Sequence, residues 1–412
     1  MTKISARQTA MKILLISDVY FPRVNGVSTS IKTFVEQIQA QGHTVHLIAP
    51  DYSTFHQHLD DAEDWLKRVP ARNIYFDPED KLMKFSAIKA LLPALQAENY
   101  DLVHIHTPFV AHYAGLKIAK ALNVPCVETY HTFFEDYLHH YLPWIPQSIA
   151  RSLARLISRK QCNTVDAIVA PSKPMLDVLR SYGVASESEV IPTGLQAASF
   201  NQEGQINFRE KYHIPAERPM LLYVGRVAFE KNIDFLLNVV HLVKDEIPEI
   251  LLVITGEGPA EASLHKQVKN LGIEKNVKFI GYLDRETELN ACYRAADIFV
   301  FASTSETQGL VLLEAMAQGT PVVAIAKLGT ASILVEGRGA MIANEDTLDF
   351  AQKVQALLED VTYRKTLGLK ALQYVLEKWT AQIQAECMVN FYAKTVQKHQ
   401  FKKVNLEVVE PI

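Results

Sequence analysis

The chain of 412 residues carries 42 Lys and Arg against 46 Asp and Glu, a net charge of −4, with 48% hydrophobic residues. That is enough apolar material for the cores of two or three globular domains, and it excludes an intrinsically disordered chain. The mildly acidic balance gives no reason to expect nucleic acid as a partner, so any anionic ligand must be met by local clusters of cations.

Residues 1–10, MTKISARQTA, are polar and lack the apolar core of a signal peptide; they read as a disordered leader, with Met11 an equally good start. From Met11, MKILLISDVY reads as a short apolar strand, followed by the loop FPRVNGVSTS and then a helix on which Ile31, Phe34, Val35 and Ile38 share one face. In that loop Gly26 either lacks a side chain so that an anion can approach the positive end of the helix, or is a turn glycine before a helix capped by Ser28 or Ser30. VHLIAP, DLVHIHTP, VPCVETYHT and AIVAPS follow as strands. Continuous apolar strands alternating with helices form a parallel sheet buried on both faces. The acidic run Asp60 to Asp64 reads as a solvated face.

Composition shifts near residues 190–210 and a second strand series begins: PMLLYVG, EILLVITGEGP, VKFIGYL, DIFVFAS and TPVVAI. This predicts an N-terminal domain over residues 11–195, a C-terminal domain over 205–380 and a terminal helix over 381–412 that packs back on the first domain. The expected fold class is α/β, with two doubly wound, Rossmann-like domains facing a central cleft; such sheets bind ligands beyond the carboxyl ends of their strands.

Three local patterns carry chemistry. GRVAFEKN places Arg226 and Lys231 just past a strand end, a planar fork and a point charge that suit a departing diphosphate. TGEGPA has only two glycines of a GxGxxG pattern, which supports a nicotinamide site poorly. SETQGLVLLEAMAQG predicts a helix whose start, Gly309, Leu310 and Val311, presents free backbone amides, with Glu306 in the loop before it and Glu314 about one turn inside. Carboxylates accept hydrogen bonds from hydroxyls while helix-start amides receive phosphate, so the pair suits a sugar nucleotide. Four cysteines, Cys126, Cys162, Cys292 and Cys387, show neither CxxC nor Cys/His spacing, which points away from zinc or a disulfide framework and toward a reduced cytoplasm.

In order, PRVNGVSTS, HIHTP, VIPTGL, YVGRVAFEKN, ITGEGP and the pair Glu306 and Glu314 resemble the family 4 retaining glycosyltransferases of GT-B fold, over almost the entire chain. The resemblance implies that the first domain binds the acceptor and the second the nucleotide sugar. Gly26 then approaches the diphosphate, Arg226 and Lys231 neutralise it, and Gly281, Tyr282 and Leu283 edge the base. Glu306 meets the transferred hexose, Glu314 the ribose, and Gly309 to Val311 a phosphate. His106, the second histidine of HIHTP, lies beside the reacting sugar, whereas His104 is set on the opposite strand face; His106, Glu306, Arg226 and Lys231 form the catalytic set. Thr307, Gln308 and Gly309 depart from the GFG of many members, at the contacts to the hexose. With no Asp-x-Asp pair in a strand-end loop, no metal or other cofactor is expected.

Glu128 to Pro146, ETYHTFFEDYLHHYLPWIP, resembles the corresponding stretch of bacterial diacylglycerol glucosyltransferases and related lipid mannosyltransferases, which puts His131, Glu135 and Asp136 at the acceptor. Beyond it, Arg151, Arg155 and Arg159 recur every four residues, joined by Lys160, with Ile149, Leu153, Leu156 and Ile157 on a more apolar side and Phe133, Phe134 and Trp144 nearby. Such a helix suits an anionic bilayer surface. The expected protein is a cytoplasmic enzyme, peripheral on the inner face of the cell membrane. It moves a hexose, preferably glucose from UDP-glucose, onto a lipid hydroxyl such as that of 1,2-diacylglycerol. The alternatives are a GDP-mannose-dependent α-mannosyltransferase with a soluble, polysaccharide or other lipid acceptor, then a nucleotide-sugar epimerase, then a silent sugar-nucleotide binder.

Overall fold

The computed structural model describes residues 10–52, 64–74, 77–131, 133, 135, 146–200, 206–285 and 287–409. They divide into two compact units: the first holds the chain up to Pro171, Met175–Gly194 and the chain from Ala381 on, and the second holds Ser172–Pro174 and Leu195–Thr380.

The strands of the first unit are β1 (Lys12–Ile16), β2 (Thr44–Pro50), β3 (Leu66–Val69), β4 (Ala71–Ile74), β5 (Asp77–Met83), β6 (Leu102–Ile105), β7 (Cys126–Thr129), β8 (Ala167–Ala170) and β9 (Glu187–Val190). Among the described residues, seven of them form a sheet in the order β3-β2-β1-β6-β7-β8-β9, and every neighbouring pair runs parallel. β4 and β5 pair separately as an antiparallel ribbon. Successive side chains of a strand go to opposite faces, so β1 feeds two cores. Ile13 and Leu15 join Ile31, Phe34 and Val35 of the helix Gly26–Ala40 and Met388, Phe391 and Tyr392 of the terminal helix Ala381–Val409. Leu14 and Ile16 join Val103, Ile105 and Ile118 on the other face.

The helix Gly26–Ala40 is capped by Asn25, whose side-chain oxygen accepts from Ser28 N at 2.9 Å, and not by either serine. Both serines are buried inside the helix, where Ser30 Oγ accepts from Thr193 Oγ1 at 2.7 Å.

The second unit repeats the scheme with β10 (Met220–Val224), β11 (Leu251–Thr255), β12 (Val277–Gly281), β13 (Ile298–Phe301), β14 (Val322–Ile325) and β15 (Ala340–Ala343). Among the described residues they form a six-stranded sheet in the order β12-β11-β10-β13-β14-β15, parallel throughout. From Thr347 the chain is helical: Asp346 caps Thr347–Glu359 and Asp360 caps Val361–Lys378, each accepting a backbone N–H three residues on at 2.8 Å. Among the described residues no helix is long and apolar enough to cross a membrane.

Candidate active site

In the second unit the strand-end loops are held by backbone packed directly on backbone. Gly225 N donates to Thr255 O at 3.1 Å and Val227 N to Glu257 O at 2.9 Å, which fixes Arg226 between them. Gly256 has φ +115°, and a Cβ there would lie 2.0 Å from Gly225 O; one on Gly258 would lie 2.4 Å from Val227 O. The two glycines of TGEGPA are thus needed for close approach of these loops. Tyr223 Oη donates to the carbonyl of Arg226 at 3.1 Å, adding a brace from β10.

Lys231 ends the single turn Phe229–Lys231, and Asn232, left-handed at φ +56°, turns the chain into the next helix. Lys231 Nζ donates to Glu306 Oε1 at 2.6 Å, with each side chain about one-fifth exposed. Glu306 is held in turn through its carbonyl, which accepts from Gly329 N at 2.8 Å. Gly329 packs onto Thr307 so closely that a Cβ would come 2.2 Å from the Thr307 carbonyl. The loop that replaces GFG is therefore pinned by the residues before the helix Thr330–Ile333.

The helix Leu310–Ala317 begins at Gly309 in left-handed backbone (φ 95°, ψ 54°), and no side chain caps it. Its first amides, at Leu310 and Val311, have no partner within the helix, the arrangement that receives an anion. Glu314, 6% exposed, accepts from Tyr293 Oη at 2.8 Å and pairs through its other oxygen with the Arg285 guanidinium. Burial first, and then the Glu314 carboxylate, pushes the Tyr293 hydroxyl well above its usual range, so it stays protonated and donating. Sequence reasoning placed Glu314 inside the helix but missed Arg285 and Tyr293. They lie 29 and 21 positions away, in a loop and on another helix, and no local pattern links them. Tyr293→Phe is expected to cost about 1.5–3 kcal/mol of unfolding free energy, the worth of a hydrogen bond to a charged group, measurable by urea unfolding of the full chain. At the end of β12, Gly281 is left-handed (φ +79°), Tyr282 is 59% exposed and Leu283 packs against the core.

In the first unit Gly26 is the first residue of its helix, not part of the preceding loop, and nothing lies within 4 Å of where its Cβ would be. The protein's own packing does not require glycine here, and the space over the helix start is open.

His106 follows β6; its backbone N donates to Ile16 O at 3.0 Å, and the residue is 2% exposed. Its Nδ1 lies 3.2 Å from His131 Nε2, while its buried Nε2 has no partner among the described residues. His104 is not on the opposite face. Residues two apart along a strand share a face, and the His104 and His106 rings sit 4.1 Å apart. His104 is engaged at both nitrogens, Nδ1 with Tyr392 Oη at 2.5 Å and Nε2 with Thr129 Oγ1 at 2.7 Å. Burial lowers the pKa of His104 to about 3 and that of His131 to about 4, and holds His106 well below the usual histidine value. All three rings are neutral near pH 7. Asp18, at the end of β1, accepts from Thr107 Oγ1 and Ala111 N, each at 2.9 Å, and so ties the loop after His106 to β1. Sequence reasoning missed it, although it sits at a carboxyl strand end in ISDVY.

Of the acceptor residues, His131 joins His106 as described, whereas Glu135 is bound up in an ion pair with Arg155. Burial pushes the Glu135 carboxyl up, but hydrogen bonds from Arg155 and Tyr182 outweigh it and hold the group below its usual range. Asp136, Phe134 and Trp144 lie outside the described residues. Phe133 packs against the core of the first unit.

The helix Gln147–Cys162 buries its small residues, Ala150, Ala154 and Ser158, all at 1% exposure or less. Its large apolar residues face solvent: Ile149 57%, Leu153 40%, Leu156 62% and Ile157 39% exposed. Arg151, Arg159 and Lys160 are exposed beside them, and Arg155 bridges back to Glu135.

Two family models match this chain: "Glycosyltransferase Family 4" over residues 24–198 and "Glycosyl transferases group 1" over residues 204–373. An alpha-monoglucosyldiacylglycerol synthase of Streptococcus pneumoniae is 36% identical over 320 residues, covering 76% of this chain and 71% of that protein. A GDP-mannose-dependent alpha-mannosyltransferase of Mycolicibacterium smegmatis is 26% identical, covering 89% and 93% of the two chains. Among solved structures, sucrose-phosphate synthase from Thermosynechococcus elongatus superimposes with a TM-score of 0.75 at 22% identity, covering 93% of this chain and 98% of that one, a likeness of fold alone. Two parallel α/β units, family matches that together span both of them, and a relative above one-third identity agree: the chain belongs to the family 4 glycosyltransferases and is a glycosyltransferase of GT-B fold.

Proposed function

We propose that the enzyme transfers a hexose, with retention of configuration, from a nucleoside diphosphate sugar to a lipid hydroxyl at an anionic membrane surface, with glucose and 1,2-diacylglycerol as the preferred pair. The observation that carries the acceptor class is the helix Gln147–Cys162. A helix of a water-facing domain ordinarily turns its large apolar side chains inward and its polar ones out. This one exposes Ile149, Leu153, Leu156 and Ile157 beside Arg151, Arg159 and Lys160. That is the pattern of a helix lying in a bilayer interface. The name of the Streptococcus relative supports the same reading.

For the donor, we assign the diphosphate to Arg226, Lys231, Gly26 and the amides of Leu310 and Val311. Glu314 goes to the ribose, Glu306 and His106 to the hexose, and Gly281, Tyr282 and Leu283 to the base. These groups stabilise negative charge as the glycosidic bond breaks, and the departing phosphate takes the acceptor's proton on the same face of the sugar. Because two cations and a helix start supply this charge, the reading includes no metal or other cofactor. His131 is assigned to the acceptor. Glu135 serves it indirectly, by holding Arg155.

The test is release of nucleoside diphosphate from a panel of nucleotide sugars, with and without diacylglycerol in anionic vesicles. Release that requires one donor and the lipid is the expected result; release indifferent to lipid removes the lipid acceptor. The Mycolicibacterium relative favours a second reading, transfer from GDP-mannose, which the same panel separates. A lipid-binding role for the helix also sets the outcome for Arg151→Gln with Lys160→Gln. At about 1 kcal/mol per cation near an anionic surface, binding to anionic vesicles is expected to weaken about 30-fold, with little change for neutral vesicles, by co-sedimentation.

A further inference from the structure

The hydrogen bond between Tyr392 and His104 joins residues 288 positions apart, and it connects the terminal helix to the histidines at the end of β6. Tyr392 is 1% exposed, and its ring meets that of His104 edge to face, with centroids 5.5 Å apart. Burial raises the Tyr392 hydroxyl above its usual range, so it is a permanent O–H. A phenol is a better donor than an imidazole N–H, so Tyr392 donates to Nδ1 of His104; that leaves the His104 proton on Nε2, donated to Thr129 Oγ1. His104 is thus fixed in tautomer and in ring plane from two separate elements. Its ring lies 4.1 Å from that of His106 at an interplanar angle of 37°. Beyond its main-chain bond to Ile16, His106 has one side-chain hydrogen bond among the described residues, to His131, and its buried Nε2 is unpartnered. The His106 ring also stacks on that of His131, with centroids 5.5 Å apart, so the rings of His104 and His131 together set where that nitrogen points.

We propose that Tyr392 is a positioning residue for His106: by locking His104, the hydroxyl on the terminal helix sets the ring against which His106 packs and so aims His106 Nε2. This role rests on the reading of His106 as a group beside the transferred hexose.

The experiment is a double-mutant cycle in the full chain with Tyr392→Phe and His106→Ala, following kcat and the KM for donor in the diphosphate-release assay. Tyr392→Phe removes one oxygen and keeps the packed ring. It is expected to lower kcat about tenfold, as loss of orientation does, with the donor KM within about twofold and the thermal midpoint lowered by only a few degrees, because His104 Nδ1 loses its buried donor. In the His106→Ala background it is expected to cost nothing further. Thr129→Val, which unpins His104 from the other side, should repeat the pattern and stands in if Tyr392→Phe folds poorly. Wild-type kcat in both Tyr392→Phe and Thr129→Val, or an equal loss with and without His106, overturns the proposal. If His106→Ala itself turns over at the wild-type rate, the reading of the site has failed instead. The coupling is then decided by nitrogen-15 NMR of the histidine rings: a changed His106 signal in Tyr392→Phe upholds it, and an unchanged one overturns it.

Discussion

Lys231→Ala is expected to lower turnover by about 10²–10³-fold while the chain stays folded, the usual consequence of deleting one group aimed at developing transition-state charge. On the proposed assignment the effect has two parts. Without donor, Lys231 is held by Glu306 at 2.6 Å, in a setting only one-fifth exposed. On the function proposed above, a diphosphate takes the ammonium and frees Glu306 to accept hydrogen bonds from sugar hydroxyls, so one displacement readies two groups. Removing the lysine deletes the proposed phosphate contact and also takes from Glu306 the cation it pairs with. Glu306→Gln keeps the shape and one acceptor oxygen but exchanges the other for a donor NH2 and loses the charge, and a smaller loss than in Lys231→Ala is expected. Steady-state rates of diphosphate release beside circular dichroism decide this; full activity in Lys231→Ala removes Lys231 from the catalytic set.

Gly256→Ala is expected to destabilise the protein by about 3 kcal/mol or more. At φ +115° any side chain is strained, at about 1–3 kcal/mol, and the added carbon would sit 2.0 Å from a backbone carbonyl, which cannot swing aside as a side chain would. The matched control is Gly272→Ala, at φ +63° with nothing within 4 Å of the new carbon, where only the backbone term applies, about 1 kcal/mol. Urea unfolding of the two variants separates contact from conformation. Because the clash is with Gly225, next to Arg226, any folded Gly256→Ala protein should also show a raised donor KM.

The fold was legible where its strands are buried on both faces. KILLI, MLLYV and LLVIT are continuous apolar runs because helices cover both sides of a parallel sheet. β3, β9 and the β4–β5 ribbon escaped notice because they are polar or at an edge: ESEV of β9 alternates exposed and half-buried positions, so it carries no apolar run. β15 was missed for its small residues, AMIA. At the candidate site, legibility followed chain distance. Lys231, Glu306 and Glu314 stand in recognisable local strings, whereas Arg285 on Glu314 and Tyr392 on His104 are pairings across the chain that no string announces. Asn25 shows a subtler failure: three residues in one short stretch were chemically able to cap, and only backbone geometry chooses among them. The helix Gln147–Cys162 was read as amphipathic from its spacing, but which side faces inward depends on the neighbours, and the small residues won.

The first unit is discontinuous in the chain: its sheet is made from residues before Gly194, but part of its core, including Met388, Phe391 and Tyr392, arrives only after the whole of the second unit. During synthesis the second unit can close on Leu195–Thr380 with Ser172–Pro174, all already made, while the first must wait with one apolar face of β1 and of its first helix uncovered. Domains fold largely as units as they emerge, and exposed apolar faces are where chains aggregate. The order of maturation is therefore the reverse of the order of synthesis, and chaperone demand should fall on the amino-terminal half.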